Sequence, residues 1–183
     1  LTMAKKSEIN STAAVYSASF NLSSSFPAGN YAITATALDS SGFVSSSSAA
    51  FQYLSMVAVE VDTASLVLNA APGLTYEVVG DRSSSTAANI TVLNSGNVVL
   101  DFDVSSTNFT SGSGTIVASR LQYTFNGNYN DVALAGNMTN SRVRKHVNLS
   151  PNAAAGLSLR LNVPLATSPG NYSGKISLVA VNS

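Results

Sequence analysis

The stretch from Leu157 to Val181 commits this chain to β-sheet. Leu157, Leu159, Leu161 and Val163 alternate with Ser158, Arg160 and Asn162, the period of two that a half-buried strand requires. Ser168-Pro169-Gly170-Asn171 follows and is turn chemistry, because Pro fixes φ while Gly and Asn tolerate positive φ. Tyr172 then leads into a second apolar run, Ile176 to Val181. The same order of parts occurs earlier, as Val15 to Leu22, then Phe26-Pro27-Ala28-Gly29-Asn30-Tyr31, then Ala32 to Ala37. Two copies of one corner, each flanked by matching strands, predict two modules in series.

Strand, Pro/Gly corner, Tyr, strand resembles the E–F corner of an immunoglobulin-like sandwich, in which the tyrosine hydroxyl bonds back to the backbone upstream. The expected fold is therefore all-β, with two immunoglobulin-like β-sandwich modules in series. Residues 1–55 form an incomplete one and residues 56–183 a complete one. In the first, Val15–Phe20, Tyr31–Leu38 and Phe51–Leu54 are the strand candidates, around a turn at Asp39-Ser40-Ser41-Gly42 and a serine tract at 45–48. A complete sandwich needs about seven strands in about 100 residues. A smaller sheet leaves open edges and little buried area. The module is a processed fragment, a small variant leaning on its neighbour, or a half completed by a strand from another subunit. Head-to-tail donation of that kind builds an open filament when no rotation closes it.

No flexible linker intervenes, because Leu54-Ser55-Met56 passes directly into the alternating Val57–Asp62. That predicts a fairly rigid hinge. Beyond it the strand candidates are Leu66–Leu68, Tyr76–Val79, Asn89–Leu93, Val98–Val104, Leu121–Phe125, Val143–Leu149 and the closing pair. Asn94-Ser95-Gly96-Asn97 joins the third and fourth of these as the clearest hairpin. Val98, Leu100, Phe102 and Val104 are expected inward, Asp101 and Asp103 outward. The total, about eight to ten strands, suffices for a whole sandwich.

Charge is scarce: 9 basic and 9 acidic residues among 183, or 10%, against roughly 25% in typical domains. Ser, Thr and Asn must cover the surface. Zero net charge disfavours nucleic acid or an anionic membrane as partner, since both call for a basic footprint. So few carboxylates leave little for acid to protonate, which suggests an acidic exterior. Without cysteine there is neither a disulfide framework nor thiolate chemistry. No run of 18 apolar residues predicts a membrane span, and the start at Leu1 shows no signal-peptide core, so a leader has been removed or the chain is a fragment.

N-x-Ser/Thr sequons fall at Asn10, Asn21, Asn89, Asn108, Asn137, Asn148 and Asn171, where chance predicts about four or five. The set points to a glycosylated extracellular, cell-surface protein whose sugars supply the solubility that charge does not.

Catalytic chemistry has little to build on. His146, the single histidine, shares a strand face with Arg142 and Arg144, whose charges disfavour a proton there. No acid–His–nucleophile arrangement follows. Asp101 with Asp103, and Glu60 with Asp62, are i, i+2 acids of the kind a solvated strand face carries. Such pairs could also serve a glycosidase or hold Ca²⁺ at a sandwich end, but no D-x-D-x-D-G loop supports calcium. Tryptophan, the usual stacking platform of carbohydrate-binding modules, is absent. Tyr129, in a polar loop, is the candidate surface contact. The expectation is a protein that is not an enzyme and holds no cofactor beyond N-linked glycans.

Asn89-Ile90-Thr91-Val92-Leu93-Asn94-Ser95-Gly96-Asn97-Val98, with Ser168-Pro169-Gly170-Asn171-Tyr172-Ser173-Gly174-Lys175-Ile176, resembles the immunoglobulin-like modules of archaeal cell-surface proteins. The resemblance covers about residues 56–183, and residues 13–54 resemble the second half of another such module. It implies a structural role: an S-layer component, an adhesin, or a glycosylated filament subunit of the thread-like or bundling pili, whose partners are copies of itself joined by donated strands. An N-terminal hydrophobic helix is lacking, which disfavours a type IV pilin or archaellin. Residues 1–12 or Val15–Phe20 would supply the donor. The alternative implied is a ligand- or carbohydrate-binding adhesin domain of a larger surface protein.

Overall fold

The computed structural model describes residues 1–10, 13–86 and 88–183. Among these residues sixteen strands alternate with turns: β1 Ala4–Asn10, β2 Ala13–Ser17, β3 Gly29–Leu38, β4 Val44–Tyr53, β5 Val59–Val61, β6 Thr75–Val78, β7 Thr91–Asn94 and β8 Leu100–Ser106. They continue as β9 Phe109–Ser111, β10 Gly114–Ile116, β11 Leu121–Thr124, β12 Ala135–Asn137, β13 Val143–Leu149, β14 Ala154–Gly156, β15 Ser158–Asn162 and β16 Ile176–Asn182. One 3-10 turn, Ala118–Arg120, is the helical content among the described residues. The all-β class holds.

All sheets are antiparallel. Beyond residue 58 a four-stranded sheet, β12-β11-β15-β6, accompanies two three-stranded ones, β13-β8-β16 and β14-β7-β5. Their apolar faces meet in one core, where Phe102 stacks on Phe125 with centroids 5.5 Å apart and Tyr123 meets Phe125 edge-on. The alternation around β15 is realised: Leu157, Leu159, Leu161 and Val163 are all buried. Ser158 departs from it, buried with its hydroxyl accepting from Gly80 N at 2.9 Å.

Both predicted corners close. Tyr31 donates its hydroxyl to Pro27 O at 2.6 Å and Tyr172 to Ser168 O at 3.0 Å, each four residues back. The ring of Tyr172 also packs on the core. Tyr172→Phe keeps that packing and removes one hydrogen bond, so a loss of about 1 kcal/mol is expected in a urea midpoint. Tyr172→Ala should cost more.

Three local expectations fail. The Asn94–Asn97 turn does not close a hairpin: β7 pairs with β14 and β5, and β8 with β13 and β16, so the turn arches between sheets. Asp101 does not face solvent but is buried at 1% exposure. A bulge in β13 between Lys145 and Leu149, where Asn148 adopts φ 50°, lays His146 and Asn148 over it. Leu66–Leu68 is not a strand; Leu66 and Leu68 pack on the core while Val67 is exposed.

The N-terminal third is different in kind. Its four strands pair only as two separate hairpins, β1-β2 and β3-β4. No described residue before Ile90 is buried, and every residue of β1 is exposed. The serine tract lies within β4, in an unbroken ten-residue register with β3 that includes a Thr34–Ser48 hydroxyl contact of 2.8 Å.

Candidate assembly surface

The β3-β4 hairpin is two-sided. Its register sets Tyr31 opposite Phe51 and Ile33 opposite Ala49, so these share one face. Tyr31 stacks on Phe51 at 5.6 Å and meets Tyr53 edge-on at 6.4 Å. Tyr53 is held by Ser23 O, which brings the Leu22–Phe26 turn against the base of the hairpin. Away from that cluster Ile33, Leu38, Phe43 and Val44 are exposed. Fourteen of the 23 exposed large apolar side chains precede residue 58. A lone two-stranded hairpin is marginal in water at best, so this apolar surface has a stabilising use only when something covers it.

Asn97 fastens this region to the rest. Its side chain donates to Leu54 O at 2.9 Å and accepts from Met56 N at 2.6 Å. Its backbone N–H donates to Met56 O, and its carbonyl accepts from Ala28 N in the first tyrosine corner. Ser95 N and Gly96 N both donate to Ala58 O. Asn94, fully buried, holds the arch from beneath by donating to Val98 O and Leu149 O, each at 2.8 Å. The Asn-Ser-Gly-Asn run is therefore a joint between the two parts of the chain. The sequence flagged this turn but not the segment it would receive.

A cleft of about 700 Å³ opens beside the second corner. Its floor is Phe109, Ile116, Leu161 and Val163, its walls the Leu66–Pro72 segment and the Thr167–Gly174 corner. None of its lining residues is charged.

The residues singled out for chemistry are engaged in cross-strand pairs. His146 Nδ1 lies 2.7 Å from Asp101 Oδ2, and Arg144 Nε donates to Asp103 Oδ1, its direct partner across the β13–β8 register. Lys145 turns inward to donate to Val132 O and Ala135 O. Asp62 accepts from Thr91 N at 2.8 Å and so anchors β7, while its neighbour Glu60 sits exposed in β5. Among the described residues no three His, Cys, Asp or Glu are grouped to hold a metal. Tyr129 is half-buried with the Arg160 guanidinium 3.8 Å above its ring, and Arg160 also donates to Glu77 at 3.2 Å. Burial first, then the Glu77 carboxylate, pushes the Tyr129 phenol up. One face of this ring is thus already covered.

Five of the sequon asparagines are exposed: Asn10, Asn21, Asn137, Asn148 and Asn171. Asn89 and Asn108 are half-buried and hold internal bonds, Asn89 donating to Asp81 and Asn108 accepting from Ala118 N. Ser11 and Thr12, which complete the Asn10 sequon, lie outside the described residues.

Asp81 went unnoticed in the sequence. It accepts from Thr86 Oγ1, Ser83 N, Thr91 Oγ1 and Asn89 Nδ2. These bonds, the Thr86 hydroxyl first, hold its carboxyl well below the ordinary value of 3.8. A carboxyl depressed by folding stabilises fully above its unfolded pKa and loses that contribution as pH falls towards the folded one. Wild type should therefore exceed Asp81→Asn in urea midpoint at pH 6, and the gap should narrow progressively below about pH 4.

No family model and no curated protein matches this sequence. Among solved structures the chain is similar to part of a family 123 glycoside hydrolase from Clostridium perfringens, a structure analysed for glycolipid glycan hydrolysis. Identity is 16% and the TM-score 0.40, over 60% of this chain and 19% of that one. This chain thus spans about a fifth of that protein's length. No helix among the described residues is long and apolar enough to cross a membrane, which says nothing of strands.

Proposed function

We propose that this chain is a structural, non-enzymatic subunit of an extracellular, glycosylated filament or surface layer. Its copies join by β-strand complementation involving the N-terminal strands. One observation carries the reading: no described residue before position 58 is buried, yet fourteen of the 23 exposed large apolar side chains lie there. Surface of that kind marks an interaction site, and strands lacking a sheet are completed by added strands. The two tyrosine corners support reading both parts as immunoglobulin-like modules, the first of them half-built. Exposed Asn21, Asn137, Asn148 and Asn171 support glycans on the outer surface, with Asn10 in the same class.

Electron microscopy of native material, with mass spectrometry of its subunits, tests this. Regular filaments or a lattice built from this chain are the expected result. A dispersed monomer at high concentration overturns the assembly reading.

A further inference from the structure

We infer that the neutral cleft beside the second tyrosine corner receives the Ala14–Leu22 segment of a second copy, laid as an added strand against residues 66–70. This rests on the assembly reading and fixes which surfaces meet.

The acceptor argument begins with the backbone. Residues 66–70 make no backbone–backbone hydrogen bond with any described residue; the nearest such bonds are at Asp62 N and at Ala71 O, which accepts from Leu74 N at 3.3 Å. Leu66 and Leu68 nevertheless pack on core side chains at the cleft wall. Unpaired peptide groups beside apolar surface are what an incoming strand satisfies, with main-chain bonds giving affinity and pockets reading alternate side chains.

The donor argument is one of pattern and charge. Ala14, Tyr16, Ala18, Phe20 and Leu22 alternate with Val15, Ser17, Ser19 and Asn21, so an extended chain presents one face of small and large apolar groups in turn. Tyr16 and Phe20 are about half exposed, at 54% and 49%. The segment contains no charge, proline or glycine, and an uncharged cleft rejects the charged alternative: β1 carries Lys5, Lys6 and Glu8. β2 already pairs with β1 by one edge, so its other edge joins without unzipping the hairpin. Nine extended residues reach about 30 Å and the five from Leu66 to Ala70 about 17 Å, enough for roughly five residues of overlap. Donor and acceptor are different surfaces of one chain, so the contact is head-to-tail and propagates.

The test titrates a synthetic Ala13–Ser23 peptide into the full chain and follows the side-chain methyl signals of Ile116, Leu161 and Val163. Saturable shifts there are expected, with a Phe20→Asp peptide at least about tenfold weaker and a Ser19→Asp peptide close to the parent. Because the chain has no cysteine, mixing a Phe20→Cys chain with an Asn69→Cys chain should also give a disulfide-linked mixed dimer. No shift at the three methyls, or equal shifts from an Ala4–Asn10 peptide, overturns the pairing. Filaments that form without these signals would leave the assembly reading standing and this cleft excluded. Shifts at the cleft from a chain that never forms filaments would do the reverse.

Discussion

Gly96→Ala is expected to break the joint between the N-terminal hairpins and the rest of the chain. A Cβ at this position would sit 2.2 Å from Met56 O and 2.8 Å from Ala58 N, both backbone atoms that cannot swing aside. Close approach, not unusual backbone angles, is the reason for glycine here. The Leu54–Ala58 segment must withdraw, taking with it the bonds from Ser95, Gly96 and Asn97. Overpacking costs about 1–3 kcal/mol, and each buried group left unpaired adds about as much again. Limited proteolysis should show cleavage between residues 38 and 57 accelerated by about tenfold or more, while the later strands resist. Asn97→Ala attacks the same joint from the other side, orphaning Leu54 O and Met56 N, and should reproduce the pattern. Unchanged proteolysis in both variants would mean that the hairpins are held by something other than this arch.

The sequence was legible where a pattern is local. Period-two alternation located β3, β6, β11, β13, β15 and β16 to within a few residues, because a strand's two faces are written in its own side chains. Both tyrosine corners were legible for the same reason, since hydroxyl and acceptor are four residues apart. Partner choice was not. Asn94-Ser95-Gly96-Asn97 has the composition of a hairpin turn, but composition sets how sharply the chain turns and not which strand it meets. β7 finds its partners in β5 and β14, separated from it by intervening strands. Asp101 shows a second limit: alternation gave its side correctly, sharing a face with Asp103, but the bulge that covers it belongs to β13. Asp81 shows a third. Its carboxylate is defined by four donors spread from Ser83 to Thr91 in an irregular loop, where no period exists to be read.

Removing residues 1–53 is expected to leave the fold and abolish assembly. The earliest side chain packed on the core is Val59, and the joint's own groups, Leu54 O and Met56 N, remain in a chain that starts at Leu54. All buried residues among those described lie at or beyond Ile90, so the shortened chain keeps each of these buried apolar groups. Among the described residues, the backbone bond it loses to the rest of the chain is the one from Ala28 N to Asn97 O, worth about 1 kcal/mol. For a domain of this size that is about 2–4 °C in Tm. The separate 1–53 fragment should show no cooperative unfolding transition, because paired hairpins without a core do not offset the entropy of ordering them. Under the proposed assembly, the shortened chain should remain monomeric at concentrations where the full chain associates. A drop in Tm beyond about 10 °C would mean that the hairpins shield the core in solution. Filaments from the shortened chain would move the assembly contact to the later strands, where the uncharged, seven-residue edge of β16 is the sheet margin left open by its pairing with β8 alone.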